Sequence, residues 1–526
     1  MIAVVGLVFG AAVAAFLLSF IQARINARHG TDHAVHTFLI NCIRDNGGKG
    51  FVRIPRLLNE AYIGALPLYL HWIFARFPIK VMRRAELLLN PVVNLLHTVA
   101  IGSLALIAAA EIDAHASFAG GVAILFGLTP QFYHALSARN FGLSARSLGL
   151  LFLSGVFFFT WRVGLEQASG FDWLGITLFS FLVIAFSTFG LQVLVLVGAG
   201  LVLLGYWQIA LGGVLGAALF FLVHPSYAKG YLSNTVRFVR AYAKELAPRY
   251  VLARRYSIWR DLYRDIWVRL RDDGVRAGFR YAYENSVLIL VGLNPLTALA
   301  AIMYFARSDF TAVGLVPFAG AVSVAGTAIA LLTSLRPLRF LGEPERYAEA
   351  VTPFAVLYAS AILYQSAGII AFAPIAIAFL AFAIAQVYAS RVLAGYLSSK
   401  PLGLAAVQDA IDAAGGPVRL ASNNEQYIKL MLPNPWNFSY CIAVGHGYCG
   451  MSVAEAFDPF PYLTRPAMAR VVESCRINYC LLDRQRFDTL FDTPPDNLVS
   501  CKIAFETEGL RLLRLEWHGQ PKPPQA

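Results

Sequence analysis

The chain has 526 residues, of which 58% are hydrophobic and only 14% are charged, and its mean hydropathy is +0.59. Soluble domains are nearer roughly 45–50% apolar, so this composition excludes an ordinary soluble protein and predicts a polytopic membrane protein. The net charge of +12 lies between hydrophobic runs rather than in a soluble basic domain. Anionic membrane lipids and phosphate-bearing substrates are therefore the expected partners, and nucleic acid is not.

The first predicted element is an apolar run over residues 2–20, which is about long enough to cross a bilayer. No basic segment precedes it and no small-residue cleavage pattern follows it, so a retained anchor is predicted rather than a signal peptide. With the later runs it gives about eleven crossings, all nearly free of charge. The later runs cover 87–110, 117–136, 147–161, 173–186, 191–206, 209–223, 287–305, 312–332, 353–365 and 367–385.

A polar segment containing Asp32, His33 and His36 follows the first run. A carboxylate with two imidazoles beside a span is costly unless it is solvated or takes part in chemistry. Apolar residues then recur at helical spacing, and Asp32 and His36 are four residues apart, so they can share a helical face. The pattern predicts an amphipathic helix on the membrane surface with Asp32 as the candidate catalytic residue. The alternative is that Asp32 only caps this helix.

The same residues raise the question of a metal. Asp32 and His36 could hold a divalent ion, because carboxylate and imidazole are suitable ligands, but no further ligand at matching spacing completes the site. No cofactor is therefore assigned, and a divalent metal is the alternative. Six cysteines are present without CxxC spacing, so a metal ribbon is not expected. Cys480 lies within a predicted strand and is expected to pack in a core.

Two regions between the spans are expected at the membrane surface. Residues 67–78, which include His71, are too short to cross and are rich in aromatic side chains. Residues 224–285 form a basic, aromatic segment that is too charged to cross, and surface helices on anionic headgroups are predicted there.

After Ser390 the hydrophobic runs shorten to strand length. Strands are predicted at 418–421, 477–482 and 510–515, helices at 404–413 and 466–475, and a hairpin turn at 507–509. The predicted organisation is a membrane domain over 1–390, with a first polar loop at 23–86, and a soluble α/β domain over 391–526. This domain of about 130 residues is large enough to hold its own core.

Three stretches resemble the GT-C glycosyltransferases, membrane enzymes that take a sugar from a polyprenyl-phosphate donor. Span architecture and a terminal α/β domain extend the likeness over most of the chain. The stretches are Asp32 beyond the first span with Ile43–Gly47 and Pro67–Trp72, then Thr129–Tyr133 leading to Ser144–Leu151, and finally Gly342–Tyr347 with Pro353.

The resemblance implies glycosyl transfer with Asp32 as the base. Such a transfer must remove a proton from the incoming hydroxyl and neutralise the departing phosphate, and arginine forks suit phosphate oxygens. The family usually has a paired acidic motif, whereas this chain has Asp32 followed by a histidine, which leaves one base. The implied donor-phosphate residues are Arg139, Arg146, Arg346 and Tyr347, and the implied supporting residues are His33, His36 and His71. The alternative for each arginine is snorkelling to the membrane interface.

The resemblance also implies a place in the cell. It puts the amino terminus in the cytoplasm and the Asp32 loop, the basic segment and the terminal domain on the extracytoplasmic face of a bacterial inner membrane. The positive-inside rule opposes this orientation, because most Lys and Arg clusters fall on the face of Asp32.

Two other functions suit a protein with many spans. A transporter or flippase for lipids or lipid-linked saccharides predicts charged or broken spans at mid-membrane. An O-antigen-type polymerase or ligase leaves the Asp32 loop without a role. The sugar stays open, and the acceptor is expected to be a glycan, a lipid or a protein.

Overall fold

The computed structural model describes residues 2–26, 31–50, 57–58, 67–134, 142–241, 243–244, 262–272, 274, 291–306, 314–341, 344–399, 403–414, 418–431, 438–440, 451–458, 462–491 and 493–519. This part of the chain is mostly helical, with one small sheet near the carboxyl end.

The helices are α1 (Ile2–Asn26), α2 (Thr31–Asp45), α3 (Tyr69–Ala75), α4 (Ile79–Glu111), α5 (Ser117–Gly127), α6 (Pro130–Tyr133), α7 (Ala145–Val163), α8 (Gly170–Phe186), α9 (Thr188–Leu203), α10 (Gln208–Val223), α11 (Pro225–Ala241), α12 (Leu262–Asp272), α13 (Pro295–Ala306), α14 (Leu315–Thr333), α15 (Glu345–Ala367), α16 (Phe372–Ser399), α17 (Leu404–Ala414), α18 (Glu425–Met431), α19 (Val453–Ala456) and α20 (Arg465–Ser474). The strands are β1 (Val418–Ser422), β2 (Phe438–Tyr440), β3 (Tyr479–Asp483), β4 (Leu498–Glu506) and β5 (Leu510–Trp517).

Within the described residues, 5 helical segments are apolar and long enough to cross a membrane, judged by length and composition. Four shorter apolar helices, α8, α9, α10 and α13, accompany them. These segments support a multi-pass integral membrane protein, and the count of about eleven crossings stays a prediction. The long segments are Ala3–Asn26, Ile79–Glu111, Ala145–Val163, Leu315–Thr333 and Glu345–Val392.

The predicted span over 117–136 differs from the structure. Helix α5 ends at Gly127 after 11 residues, which at about 1.5 Å per residue covers roughly half of a bilayer core of about 30 Å. The break precedes Pro130, whose ring has no N–H to donate and whose predecessor, Thr129, is extended with ψ at 127°. The proline therefore splits this apolar run into α5 and the short α6.

Helix α4 has a buried polar face that the sequence analysis did not predict. Asn90, Asn94 and His97 are spaced by about one helical turn, and each is 1–2% exposed. Asn90 Nδ2 donates to the Gly142 carbonyl at 3.1 Å and Asn94 Nδ2 donates to Ser19 Oγ at 2.7 Å, while a nitrogen of His97 lies 2.8 Å from Ser154 Oγ. These bonds join α4 to α1, to α7 and to the loop before α7 in an apolar environment.

The sheet has the strand order β2-β1-β3-β5-β4. Strands β2, β1 and β3 are parallel, whereas β5 is antiparallel to both β3 and β4. The predicted strands and helices of this region are confirmed to within a few residues, as is the hairpin turn at 507–509. Residue 391 lies inside α16, so the sequence boundary of the terminal domain falls within a helix.

Each face of the sheet carries its own apolar core, as alternation along the strands requires. On β3, Cys480 and Leu482 face a cluster that includes α20, while Tyr479 and Leu481 face the cluster on the opposite side. Cys480 is fully buried, which confirms the prediction that it packs in a core. Burial raises the pKa of its thiol well above the usual range.

The apolar face of α2 packs against the sheet and the helices beside it. Phe38, Leu39 and Cys42 are at most 1% exposed and belong to one buried cluster with residues of α17, α18 and the strands. The amphipathic helix predicted from position 35 is thus confirmed, but its apolar face does not lie on the membrane surface as expected. Its periodicity indicated which face was apolar, and protein rather than lipid covers that face.

Candidate active site

The first half of the candidate site lies where α2 meets α3. His36 Nδ1 lies 2.8 Å from His71 Nε2, and the two rings are stacked with centroids 5.0 Å apart. One of these nitrogens donates to the other, so the hydrogen bond fixes the orientation of both rings. Burial and the neighbouring imidazole lower the pKa of His71 well below its ordinary value, which keeps it neutral near pH 7.

A second contact fixes α3 relative to α2. The guanidinium of Arg44, at the end of α2, donates to the carbonyl oxygens of Ala75 at 3.1 Å and of Phe74 at 3.3 Å, and also to that of Phe77. Phe74 and Ala75 belong to the last turn of α3 and Phe77 lies two residues beyond it, and carbonyl oxygens at a helix end are open to such side-chain donors. Arg44 and the histidine pair therefore hold the two helices together at two points along α2.

Asp32 lies in the first turn of α2, one turn before His36. The side chains of Asp32 and His33 lie outside the described part of the structure, so their predicted roles stay predictions. No group of three or more His, Cys, Asp or Glu side chains suited to a metal is found among the described residues. The metal alternative through Asp32 and His36 is not tested by that finding, because it requires the Asp32 carboxylate.

The second half of the site is an aromatic ring shared by two arginines. Arg146 and Arg346, separated by 200 residues of sequence, place their guanidinium carbons 5.3 Å and 5.8 Å from the centroid of the Phe189 ring. Both distances fall within the range of attraction between a cation and an aromatic face. Two of the three predicted donor-phosphate arginines are thus brought together, and Arg139 lies outside the described residues.

Each of these three residues stands in the first turn of its helix. Arg146, Phe189 and Arg346 are the second residues of α7, α9 and α15, so three helix amino termini meet at the ring. The close approach of α7 and α9 depends on Gly149, because a Cβ there would lie 2.4 Å from the Cβ of Ser187. Helix amino termini carry partial positive charge and unpaired N–H groups, which favour an anion.

Acidic and phenolic groups orient the arginines. Arg146 Nη2 lies 3.2 Å from the Glu349 Oε2 atom, and the Glu349 side chain is 2% exposed. Tyr347 is fully buried, donates its hydroxyl to the Leu341 carbonyl at 2.6 Å and packs edge-on against Phe189 at 5.5 Å. The structure thus joins Tyr347 to the arginines through the ring, with its hydroxyl directed to the backbone.

Two tyrosines of α11 connect the halves of the site. The backbone N–H of Leu68, just before α3, donates to Tyr227 Oη at 2.9 Å. Tyr227 stacks on Tyr231 with centroids 6.2 Å apart and an interplanar angle of 15°, and Tyr231 Oη donates to Thr188 Oγ1 at 3.4 Å. Since Thr188 precedes Phe189, the two stacked tyrosines, here called the tyrosine ladder, connect α3 to the arginine cluster formed by Arg146 and Arg346.

Sequence reasoning missed Phe189 and Glu349. Glu349 had a visible signal, because a carboxylate one turn into an apolar span needs a partner and the nearest cation in sequence is Arg346. The observed partner is Arg146 from another helix. Phe189 is one of 38 phenylalanines, and nothing local distinguishes it from a packing residue.

No protein-family model matches the sequence, and no curated protein sequence matches it. Solved structures are similar to the chain. ArnT from Cupriavidus metallidurans bound to undecaprenyl phosphate is 13% identical, with a TM-score of 0.44 and coverage of 97% of this chain and 98% of that chain. The oligosaccharyltransferase AglB from Archaeoglobus fulgidus, in complex with an inhibitory peptide and a dolichol-phosphate, is 13% identical, with a TM-score of 0.45 and coverage of 90% and 69%.

Both likenesses have TM-scores below 0.5, so the function is inferred from the residues of this chain.

Proposed function

We propose that the protein is a membrane glycosyltransferase that moves a sugar from a polyprenyl-phosphate donor to an acceptor hydroxyl at the extracytoplasmic membrane face. The observation that carries the proposal is the convergence of Arg146 and Arg346 on Phe189 at three helix amino termini. Two guanidinium groups and the helix dipoles together make a site for a phosphate at the end of the helices. A lipid-linked phosphate presents its headgroup at that level of the membrane.

In this proposal the leaving phosphate is stabilised by the arginine cluster. The acceptor oxygen attacks the anomeric carbon, the bond from that carbon to the phosphate oxygen breaks, and the bond electrons leave with the phosphate. The guanidinium groups of Arg146 and Arg346 stabilise the negative charge that develops there. Glu349 uses one edge of the Arg146 fork, and the planar group has further N–H donors for the phosphate.

Asp32 is the proposed base. Its carboxylate takes the proton of the acceptor hydroxyl as the new glycosidic bond forms. The His36–His71 pair and Arg44 are positioning groups, since they fix the helix that carries Asp32. Tyr347 is proposed to position Phe189 and hence the arginines.

Sugar release provides the test. Purified protein in lipid vesicles is given a polyprenyl-phosphate donor carrying a labelled sugar, and both transfer to acceptor and release to water are followed. We expect turnover that depends on Arg146 and Arg346. Movement of the labelled lipid between leaflets without sugar release would instead establish the transporter, and polymerisation of a lipid-linked glycan repeat would establish the polymerase.

A further inference from the structure

A cavity of about 320 Å³ opens beside α3. Gly50, Trp72, His224, Ser226 and Tyr227 line it, and they come from the loop after α2, from α3 and from the junction of α10 and α11. None of the described lining residues is Asp, Glu, Lys or Arg. The cavity volume is at the lower end of the range of about 300–1,000 Å³ for small-molecule sites.

The walls combine aromatic faces with small polar groups. The Trp72 ring lies 5.2 Å from the His224 ring and 6.4 Å from the Tyr227 ring, between centroids. Trp72 Nε1 donates to the Gly48 carbonyl at 2.8 Å, and Tyr227 Oη accepts the Leu68 N–H, so both rings are held in place. Burial raises the pKa of Tyr227 far above its usual range, so the wall stays uncharged there.

Such walls suit a neutral ring that has an apolar face and polar edges. The C–H groups of a pyranose face pack on indole and phenol rings, and its hydroxyls pair with groups such as the Ser226 hydroxyl and the His224 imidazole. A charged headgroup would find no opposite charge among the described lining residues. A long lipid chain would exceed the cavity and leave its polar groups unpaired.

The cavity also lies between the two halves of the site. Trp72 follows His71 directly, and Tyr227 begins the ladder through Tyr231 to the arginine cluster. Both Trp72 and Tyr227 also pack against the buried cluster that joins α2 to the sheet. Ligand pockets are favoured at such boundaries between packed units.

We propose that this cavity binds a sugar ring of a glycan acceptor, which rests on the proposed function and assigns the acceptor class. A ring seated on Trp72 would lie against the helix pair that carries His36 and His71, with Asp32 one turn from His36. The glycan is thereby distinguished from a lipid or protein acceptor.

Direct sugar binding tests the proposal. Intrinsic fluorescence of the full-length protein in a sugar-free amine-oxide detergent is titrated with methyl glycosides of a hexose, an N-acetylhexosamine and a pentose. We expect saturable binding of at least one glycoside, and no saturable response to sorbitol, an acyclic polyol. Ser226→Trp, which fills the exposed mouth of the cavity, should weaken binding at least tenfold, and Trp72→Phe should remove the response.

Trp267→Phe is the matched control, because Trp267 on α12 is 58% exposed and lies outside the cavity. It should leave the binding curve unchanged. No response to any glycoside, or full binding by Ser226→Trp, overturns the proposal. Competition by a longer-chain detergent but by no sugar would assign the cavity to an acyl chain and also overturn it.

A separate assay keeps the two proposals apart. Release of donor sugar to water needs no acceptor, so it reports on the glycosyltransferase alone. Sugar binding without donor turnover would refute the proposed function and leave the cavity a sugar site. Donor turnover with no sugar binding would refute only the assignment of the cavity.

Discussion

At the level of single residues, Asp32 has the most demanding proposed role. Replacing it by Asn keeps an oxygen that can cap α2 but removes the base, and loss of one general base commonly costs about 10²–10⁴ in rate. We expect Asp32→Asn to be folded and to transfer sugar at this reduced rate. Asp409→Asn, at an exposed position on α17, is the control for loss of a carboxylate. Near-native turnover by Asp32→Asn would show that Asp32 only caps α2.

Arg346 is expected to act mainly on the donor. Removing a charge-assisted contact to phosphate weakens ground-state binding as well as the leaving group, so Arg346→Ala should raise the donor dissociation constant. Lys should restore affinity only in part, because an ammonium lacks the planar fork. The measurement is binding of a polyprenyl phosphate to purified protein, with Arg84→Ala on the exposed side of α4 as control. Equal affinities for polyprenyl phosphate in all variants would show that Arg346 does not bind the donor and only lies at the membrane interface.

His71 makes stability depend on pH. Its folded pKa is lowered by burial and by His36, so below the unfolded value of about 6.5 the unfolded chain binds the extra proton. Stability is therefore complete above pH 6.5 and falls by up to about 1.4 kcal/mol per pH unit as the pH drops toward the folded pKa. His71→Gln, which cannot titrate, should flatten the dependence of the melting temperature on pH between 7.5 and 5.5. His518→Gln, at an exposed position, should not.

At the level of elements, local periodicity predicted where helices and strands lie. It predicted less well which elements pack against one another. The strand runs near 418, 480 and 512 and the helix from position 35 were recognised because alternation and the 3.6-residue repeat are written in neighbouring residues. The packing partner of α2 was not recognised, because the apolar face of a helix has the same sequence pattern whether lipid or a sheet packs against it. Arg146 and Arg346 could each be placed near a span end, but only the packing of α7, α9 and α15 brings them to one ring.

Replacing Phe38 tests the contact between α2 and the sheet. It is 1% exposed within the shared cluster, and truncating a buried Phe commonly costs about 3–5 kcal/mol. We expect Phe38→Ala to loosen α2, to slow transfer and to leave donor-phosphate binding intact. Labelling of the buried Cys42 thiol on the same face by a maleimide should rise, with the exposed Cys501 as the internal standard.

The control for this change is Phe9→Ala on α1, where the ring is 58% exposed. It should change neither the labelling of Cys42 nor the transfer rate. Unaltered labelling in Phe38→Ala would mean that α2 keeps its place without the aromatic contact.

At the scale of the molecule, a chain of contacts links the two halves of the candidate site. The cluster around α2 includes the sheet, Trp72 and Tyr227, and the tyrosine ladder reaches the arginines. The contacts do not determine which compartment the candidate site faces. The resemblance and the positive-inside rule predict opposite orientations. We expect an extracytoplasmic face, so a reporter fused after Gln520 that works only outside the cytoplasm should be active. Activity of a reporter that works only in the cytoplasm, fused at that position, would show the opposite orientation.

The docking of α2 on the sheet has a consequence for biogenesis. The ribosome completes α2 at residue 45, but the partners of its apolar face in the sheet and the helices beside it begin at residue 404. About 360 residues must be added in between, which takes roughly 20–70 s at about 5–20 residues per second. Throughout that interval the apolar face of α2 lacks these later partners, although Leu57 and Leu68 of the same cluster have already been made. The helix that carries Asp32 therefore gains its full set of contacts only when the last strands have been made.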